Sequence, residues 1–301
     1  MYKNPNKFIQ FELWKDCKIG CKFCCNKGQP PINKTESLQF VLNKLDDDEV
    51  KQYNEIGFIG GEFFNDEIED TNVKKMFYNI FQKISIMNFD KIYITTSLIF
   101  DISKYLIPFL DYLKELNILN KICLCTSYDI AYRFYTKERE NNWKMNMLEL
   151  HNYYPELKIH TEIILTQHFI DAVNNNLFSI SKFQETYFTR IDYIEPSSGL
   201  YYKDKEECEK ACPGFFPTKS SFVKFINKCV KNNEIDLETF LSMELRSNKL
   251  YFIENGEIKI ADDRRNGDGR CLLKSDKKYD IGFIDSSIPM RDIVKEFMEI
   301  Y

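Results

Sequence analysis

Cys17-Lys18-Ile19-Gly20-Cys21-Lys22-Phe23-Cys24 sets three thiols in a C-x3-C-x2-C spacing near the end of an apolar N-terminal run. Three thiolates can hold three corners of a cubane 4Fe–4S cluster and leave the fourth iron open to a small molecule. Zinc is the competing occupant, although structural zinc usually takes four ligands in paired C-x2-C or C-x2-C/H-x3-H form. Cys25 adjoins Cys24 as a spare thiol, but neighbouring residues rarely reach one metal together in good geometry.

The rest of the chain narrows the setting. Ten cysteines in 301 residues, behind a polar start (MYKNPNKF), point to metal or redox chemistry in a reducing compartment rather than to disulfides. The balance of 41 basic against 46 acidic residues, without a basic block, gives no reason to expect a nucleic-acid partner. No apolar run approaches the roughly 18 residues of a membrane span, so a soluble, cytoplasmic protein is expected.

Short β-rich runs alternate with segments of helical period over the first two thirds. The strand candidates are Phe8–Trp14, Glu55–Ile59, Lys91–Thr96, Lys121–Thr126, Lys158–Leu165 and Arg190–Ile194. Apolar stripes at Leu38/Val41/Leu42/Leu45 and at Val73/Met76/Phe77/Ile80/Phe81/Ile84 predict helices between them. Asp101 is a candidate cap for a third helix, which Pro108 kinks or delays, and Trp143, Met147 and Leu150 mark a fourth. Strands separated by helices predict parallel βα units, with chemistry at the carboxyl ends of the strands. The Cys17–Cys24 loop follows the first strand, and Gly60-Gly61-Glu62 ends the second.

The cysteine spacing with Phe23 before the third thiol, followed by Gly60-Gly61-Glu62, resembles the signature of the radical S-adenosylmethionine (SAM) superfamily. The resemblance implies an α/β fold: a partial (β/α)6 TIM-like barrel over residues 1–200 and a smaller α+β cap over 201–301. It further implies that Cys17, Cys21 and Cys24 hold a 4Fe–4S cluster and that Gly60, Gly61 and Glu62 bind the methionyl amine of SAM. Reductive cleavage of SAM would then give a 5′-deoxyadenosyl radical. Thr126-Ser127-Tyr128-Asp129 is similar to a Ser-Leu-Asp-Gly element of the branch with SPASM or twitch C-terminal domains. In that branch the serine and a downstream arginine contact SAM, which implies Ser127 with Arg139, or with Arg133 as the second candidate. Thr95-Thr96-Ser97 departs at Ser97 from the Thr-Asn-Gly of many members.

Beyond residue 200, Leu250–Ile260 reads as a hairpin around Glu254-Asn255-Gly256-Glu257. The stretch from Asp280 to Val294 is similar to the tail of a SPASM or twitch domain. Such domains carry auxiliary clusters, yet Ala261 stands at one expected ligand position. Cys208, Cys212, Cys229 and Cys271 remain as donors for a second Fe–S cluster or a zinc ion, with scattered buried thiols as the alternative. Cys123 and Cys125 are taken as packing residues, one inward and one outward. His151, His160 and His168 form no H-x3-H or HExxH pattern and give no support to a histidine base or triad.

Three functions follow as expectations. The first is radical modification of a peptide or protein side chain; the second is radical conversion of a small metabolite or nucleoside. The third is a non-catalytic zinc or iron–sulfur module. Either enzyme would need a reductant such as flavodoxin or ferredoxin.

Overall fold

The computed structural model describes residues 7–24, 26, 30–194, 196, 205–237, 249–254, 256–262 and 290–300. Six strands, β1 (Phe8–Glu12), β2 (Glu55–Ile59), β3 (Lys91–Thr95), β4 (Ile122–Tyr128), β5 (Lys158–Ile164) and β6 (Arg190–Ile194), lie at the positions read from the sequence. Between them run α1 (Lys34–Lys44), α2 (Thr71–Ser85), α3 (Ile102–Glu115), α4 (Lys137–Tyr153), α5 (Gln167–Asn174) and α6 (Ile180–Tyr187). Later come α7 (Lys205–Ala211), α8 (Lys219–Lys231), β7 (Lys249–Glu254), β8 (Glu257–Asp262) and α9 (Met290–Ile300).

Local signals set the helix starts. Asn33 accepts from the amides of Thr35 and Glu36, Asp70 from those of Asn72 and Val73, and Asp101 from that of Ser103. The helix capped by Asp101 begins at Ile102 and continues through Pro108, so the proline does not delay its start.

The eight strands form one sheet in the order β6-β5-β4-β3-β2-β1-β7-β8. All neighbours are parallel except the β7–β8 hairpin, in which Glu254 pairs with Glu257 as the sequence predicts. The hairpin does not stand apart from the six βα units. Gln10 of β1 registers with Leu250 of β7, so part of the last third of the chain extends the first sheet. Among the described strands β6 and β8 are the edges, and the sheet is open.

Strand alternation gives this sheet two unlike faces. Ile9, Phe11, Ile56, Phe58, Ile92, Ile94, Ile122, Leu124, Ile163 and Ile191 point to one side and are buried beneath the helices. Residues of opposite parity, among them Glu12, Glu55, Tyr93, Cys123, Cys125, Ser127, His160, Glu162 and Asp192, belong to the other. A sheet apolar on its helical side and polar on the other offers a surface on which chemistry can be built. Cys123 and Cys125, two residues apart, share this polar face and hydrogen-bond to each other, which corrects the inward/outward reading. No helix among the described residues is long and apolar enough to cross a membrane.

Candidate functional site at the carboxyl ends of the strands

The chain leaves β1 through Leu13 and Trp14, both fully buried, and enters the cysteine loop. Two glycines at the end of β2 let that loop press against the sheet. A Cβ on Gly60 would lie 2.2 Å from the Trp14 carbonyl oxygen, and one on Gly61 would lie 1.9 Å from that of Asp16. Gly60 also adopts φ +145°, where side chains are strained. The Gly61 amide donates to the Trp14 carbonyl at 2.7 Å, and Asn26 Nδ2 donates to the Gly60 carbonyl at 3.0 Å. The cysteine loop is thus tied to the β2 turn on both sides of the thiols.

Cys17 is exposed, Cys24 half-buried and Cys21 buried, and none of the three is joined in a disulfide. Burial pushes the Cys21 thiol up, opposed by Arg133 and reinforced by Cys24. The Cys17 thiol is pushed up to about 11, first by desolvation and further by Glu62, Cys24 and Cys21. Thiolates and carboxylates here oppose one another's ionisation. A cationic iron centre reverses that repulsion, so the donor set suits such a group. Among the described residues no three His, Cys, Asp or Glu side chains close on one point as the ligands of a single ion would. A cubane asks less of them, because each thiolate meets its own iron.

Glu62 is buried, and burial raises its carboxyl pKa against the hydrogen bonds it accepts. Its Oε1 accepts from Thr96 Oγ1 at 2.9 Å and from the Phe64 amide at 3.2 Å; its Oε2 accepts from the Ser97 amide at 2.6 Å. Glu62 therefore braces the β2 turn against the loop after β3. Thr96 and Ser97 enter the site by this route.

Ser127 Oγ donates to Glu162 Oε2 at 3.3 Å on the polar face. The two candidate arginines occupy different environments. Arg139 Nη1 donates to the Ile19 carbonyl at 2.6 Å, and its guanidinium carbon lies 4.0 Å from the Tyr135 ring centroid. Tyr135 donates to the same carbonyl at 3.2 Å. Arg139 is thus spent on the backbone of the cysteine loop. Arg133 is influenced by Cys21, Cys24, Asp129 and Glu162, and its buried Nε has no hydrogen-bond partner. An orphaned guanidinium N–H beside the loop is the better donor for an anionic ligand.

Glu12 and Lys15 escaped the sequence reading. Glu12 Oε2 accepts from the Ile253 amide at 2.6 Å and stands 3.7 Å from Lys15 Nζ, which has no hydrogen-bond partner. Their signal was a carboxylate and an ammonium embedded in the apolar run that ends β1. Cys24 adds to the forces holding the Glu12 carboxyl above its usual range, the largest being burial.

The C-terminal thiols divide. Cys208 and Cys212 hydrogen-bond to each other and pack with Cys21, Phe23, Phe215 and Phe216. Cys229 belongs to the main core with Phe222 and Phe225, and burial pushes its thiol up to about 12. Cys25 and Cys271 lie outside the described residues, as does the stretch 280–289 of the expected tail.

No family model matches this chain, and no curated protein matches it. A solved structure described as hexahistidine-tagged anSMEcpe with bound AdoMet is similar at 15% identity and TM-score 0.45, covering 78% of this chain and 60% of its own. Native anSMEcpe with bound AdoMet and Cp18Cys peptide is similar at 14% identity and TM-score 0.46, covering 78% of this chain and 65% of its own. The chain spans less than two thirds of the length of either.

Proposed function

We propose that this chain is a radical SAM enzyme. The observation that carries the reading is the convergence of the Cys17–Cys24 loop, the Gly60–Glu62 turn and Arg133 at the carboxyl end of one parallel sheet. Cys17, Cys21 and Cys24 would hold a 4Fe–4S cluster. Bound there, the cluster supplies the electron that cleaves SAM to a 5′-deoxyadenosyl radical. The chain's part is to place SAM: the Gly60–Glu62 turn orients the methionyl amine, Arg133 meets the carboxylate, and Ser127 adds a hydroxyl on the polar face. Arg139 and Tyr135 set the position of the cysteine loop. A flavodoxin or ferredoxin is the reductant this scheme requires, and residues 201–301 would form the cap.

The substrate we favour is a peptide or protein side chain, supported by the likeness of the sequence from Asp280 to Val294 to SPASM or twitch tails. A precursor-peptide reading frame beside the coding region separates this from a small-metabolite substrate. Anaerobic reconstitution with iron and sulfide, followed by an assay for 5′-deoxyadenosine, tests the central reading. Bound zinc with no cleavage of SAM would make the chain a binding module.

Three substitutions resolve the SAM contacts. Glu62→Ala is expected to weaken SAM binding about ten- to over a hundredfold with iron content retained, the loss of one charge-assisted hydrogen bond. Unchanged affinity in a titration removes Glu62 from the site. Arg133→Met is expected to cost SAM affinity at least about tenfold, and more than Arg139→Met does. The reverse order would assign the ligand-binding role to Arg139.

A further inference from the structure

We propose that Cys123, His160 and Asp192 form a second reactive centre, in which the Cys123 sulfur attacks the carbonyl carbon of an activated acyl group, an ester or a thioester. The three residues come from β4, β5 and β6 and run diagonally across the polar face of the sheet: His160 registers with Cys125 and Arg190, with Cys123 two residues before the one neighbour and Asp192 two residues after the other. His160 Nδ1 stands 2.8 Å from Asp192 Oδ2, which orients the ring and leaves Nε2 for the sulfur. Cys123 hydrogen-bonds to both Cys125 and His160. Arg190 Nε, 3.2 Å from Asp192 Oδ1, holds the carboxylate from its far side.

Other uses of these thiols fit less well. Cys123 and Cys125 are successive residues on one face of a strand, about 6.6 Å apart along it, whereas a disulfide needs Cβ atoms about 3.5–4.5 Å apart. The pair therefore cannot close into a disulfide without bending β4. The row also crosses three strands instead of converging on a point, and no such group among the described residues would hold a metal ion. A sulfur, an imidazole and a carboxylate in series are the parts of a nucleophile with its base and orienting group.

The charges agree with that role. The hydrogen bond with Cys125 does most to hold the Cys123 thiol below its ordinary range; burial opposes it, and His160 adds to the lowering. Burial disfavours charge on His160, but Asp192 and Cys123 outweigh it and raise the imidazole to about 9. The groups facing the sulfur are Cys125 on its own strand, Tyr93 from β3, Lys158, His160 and Glu162 from β5, and Asp192 and Arg190 from β6. A thiolate–imidazolium pair results near neutral pH. It is lost as pH rises through about 9, where the imidazole releases its proton, and as pH falls through the lowered thiol pKa.

In the step itself, the thiolate electron pair forms the C–S bond and the bond to the leaving group breaks. The proton on His160 Nε2 passes to the departing oxygen or sulfur. Water, deprotonated by the now neutral imidazole, then cleaves the Cys123 thioester and releases the acid. No oxidant or reductant is consumed. Cys123 itself is 2% exposed, while His160 keeps 21% side-chain exposure and Cys125 is half-buried, so an acyl group small enough to pass those two side chains is the one the sulfur would take. Cys125 and Cys123 lie two and four residues below Ser127 on β4, about 7 and 13 Å deeper, so the centre is separate from the cysteine loop and independent of iron.

The test is to react the full chain with p-nitrophenyl acetate, following nitrophenolate release against pH and mapping acetyl groups by mass. Acetylation at Cys123 with a rate plateau near neutral pH is expected. His160→Gln should slow it about a hundredfold or more and move the acid limb up toward the ordinary thiol range, the lowering by Cys125 remaining. Asp192→Asn should slow it about tenfold and move the basic limb down, because the imidazole loses the carboxylate that raises it, and serves if His160→Gln fails to fold. Cys123 left unmodified in the folded protein, or a pH profile unchanged in both variants, overturns the proposal.

Discussion

Replacing Cys17, Cys21 or Cys24 with alanine is expected to abolish iron–sulfur loading and SAM cleavage, whereas Cys25→Ala leaves both. Each substitution removes one of only three proposed protein ligands from a loop that is held in place: Arg139 and Tyr135 fix the Ile19 carbonyl between the first two thiols, and Cys21 is buried against Phe23 and Phe215. Iron counting and visible absorbance on the four single variants, reconstituted without oxygen, measure the effect. Equal loss in Cys25→Ala would assign the wrong ligand set.

Gly61→Ala is expected to cost nearly as much without touching a thiol. Its new Cβ would stand 1.9 Å from the Asp16 carbonyl oxygen and 2.6 Å from the Asp16 carbonyl carbon, both of them backbone atoms that no rotamer change moves aside. Either the β2 turn or the start of the cysteine loop must shift, and the 2.7 Å bond from the Gly61 amide to Trp14 is lost with it. Overpacking of this kind costs about 1–3 kcal/mol, and here the displaced segment carries Cys17 one residue later. A lowered melting temperature together with iron content reduced to a small fraction is the expected result. Normal iron content would show that the loop tolerates displacement.

The periodic parts of this fold were legible. Alternating βα signals in a parallel sheet depend on local apolar spacing, and the Asp101 cap and the hairpin around Gly256 are carried by a few adjacent residues. What escaped notice was assembled across strands. His160 has no spacing motif because its partners, Cys123 and Asp192, are contributed by neighbouring strands and meet only through register. The Cys123/Cys125 assignment failed for a simpler reason: a period of two puts alternate residues on one face. Arg139 is bonded to the backbone of the cysteine loop and Arg133 Nε is not bonded at all, a difference that spacing does not encode.

The parallel pairing of β7 with β1 has a consequence for biosynthesis. Until Lys249–Glu254 leaves the ribosome, the strand that leads into the cysteine loop is a sheet edge with unpaired backbone groups, and Glu12 lacks the Ile253 amide it later accepts from. Most of the polypeptide is therefore made before the support of its first strand is complete. Nascent chains stalled short of that strand should be more prone to edge-to-edge association than the released protein.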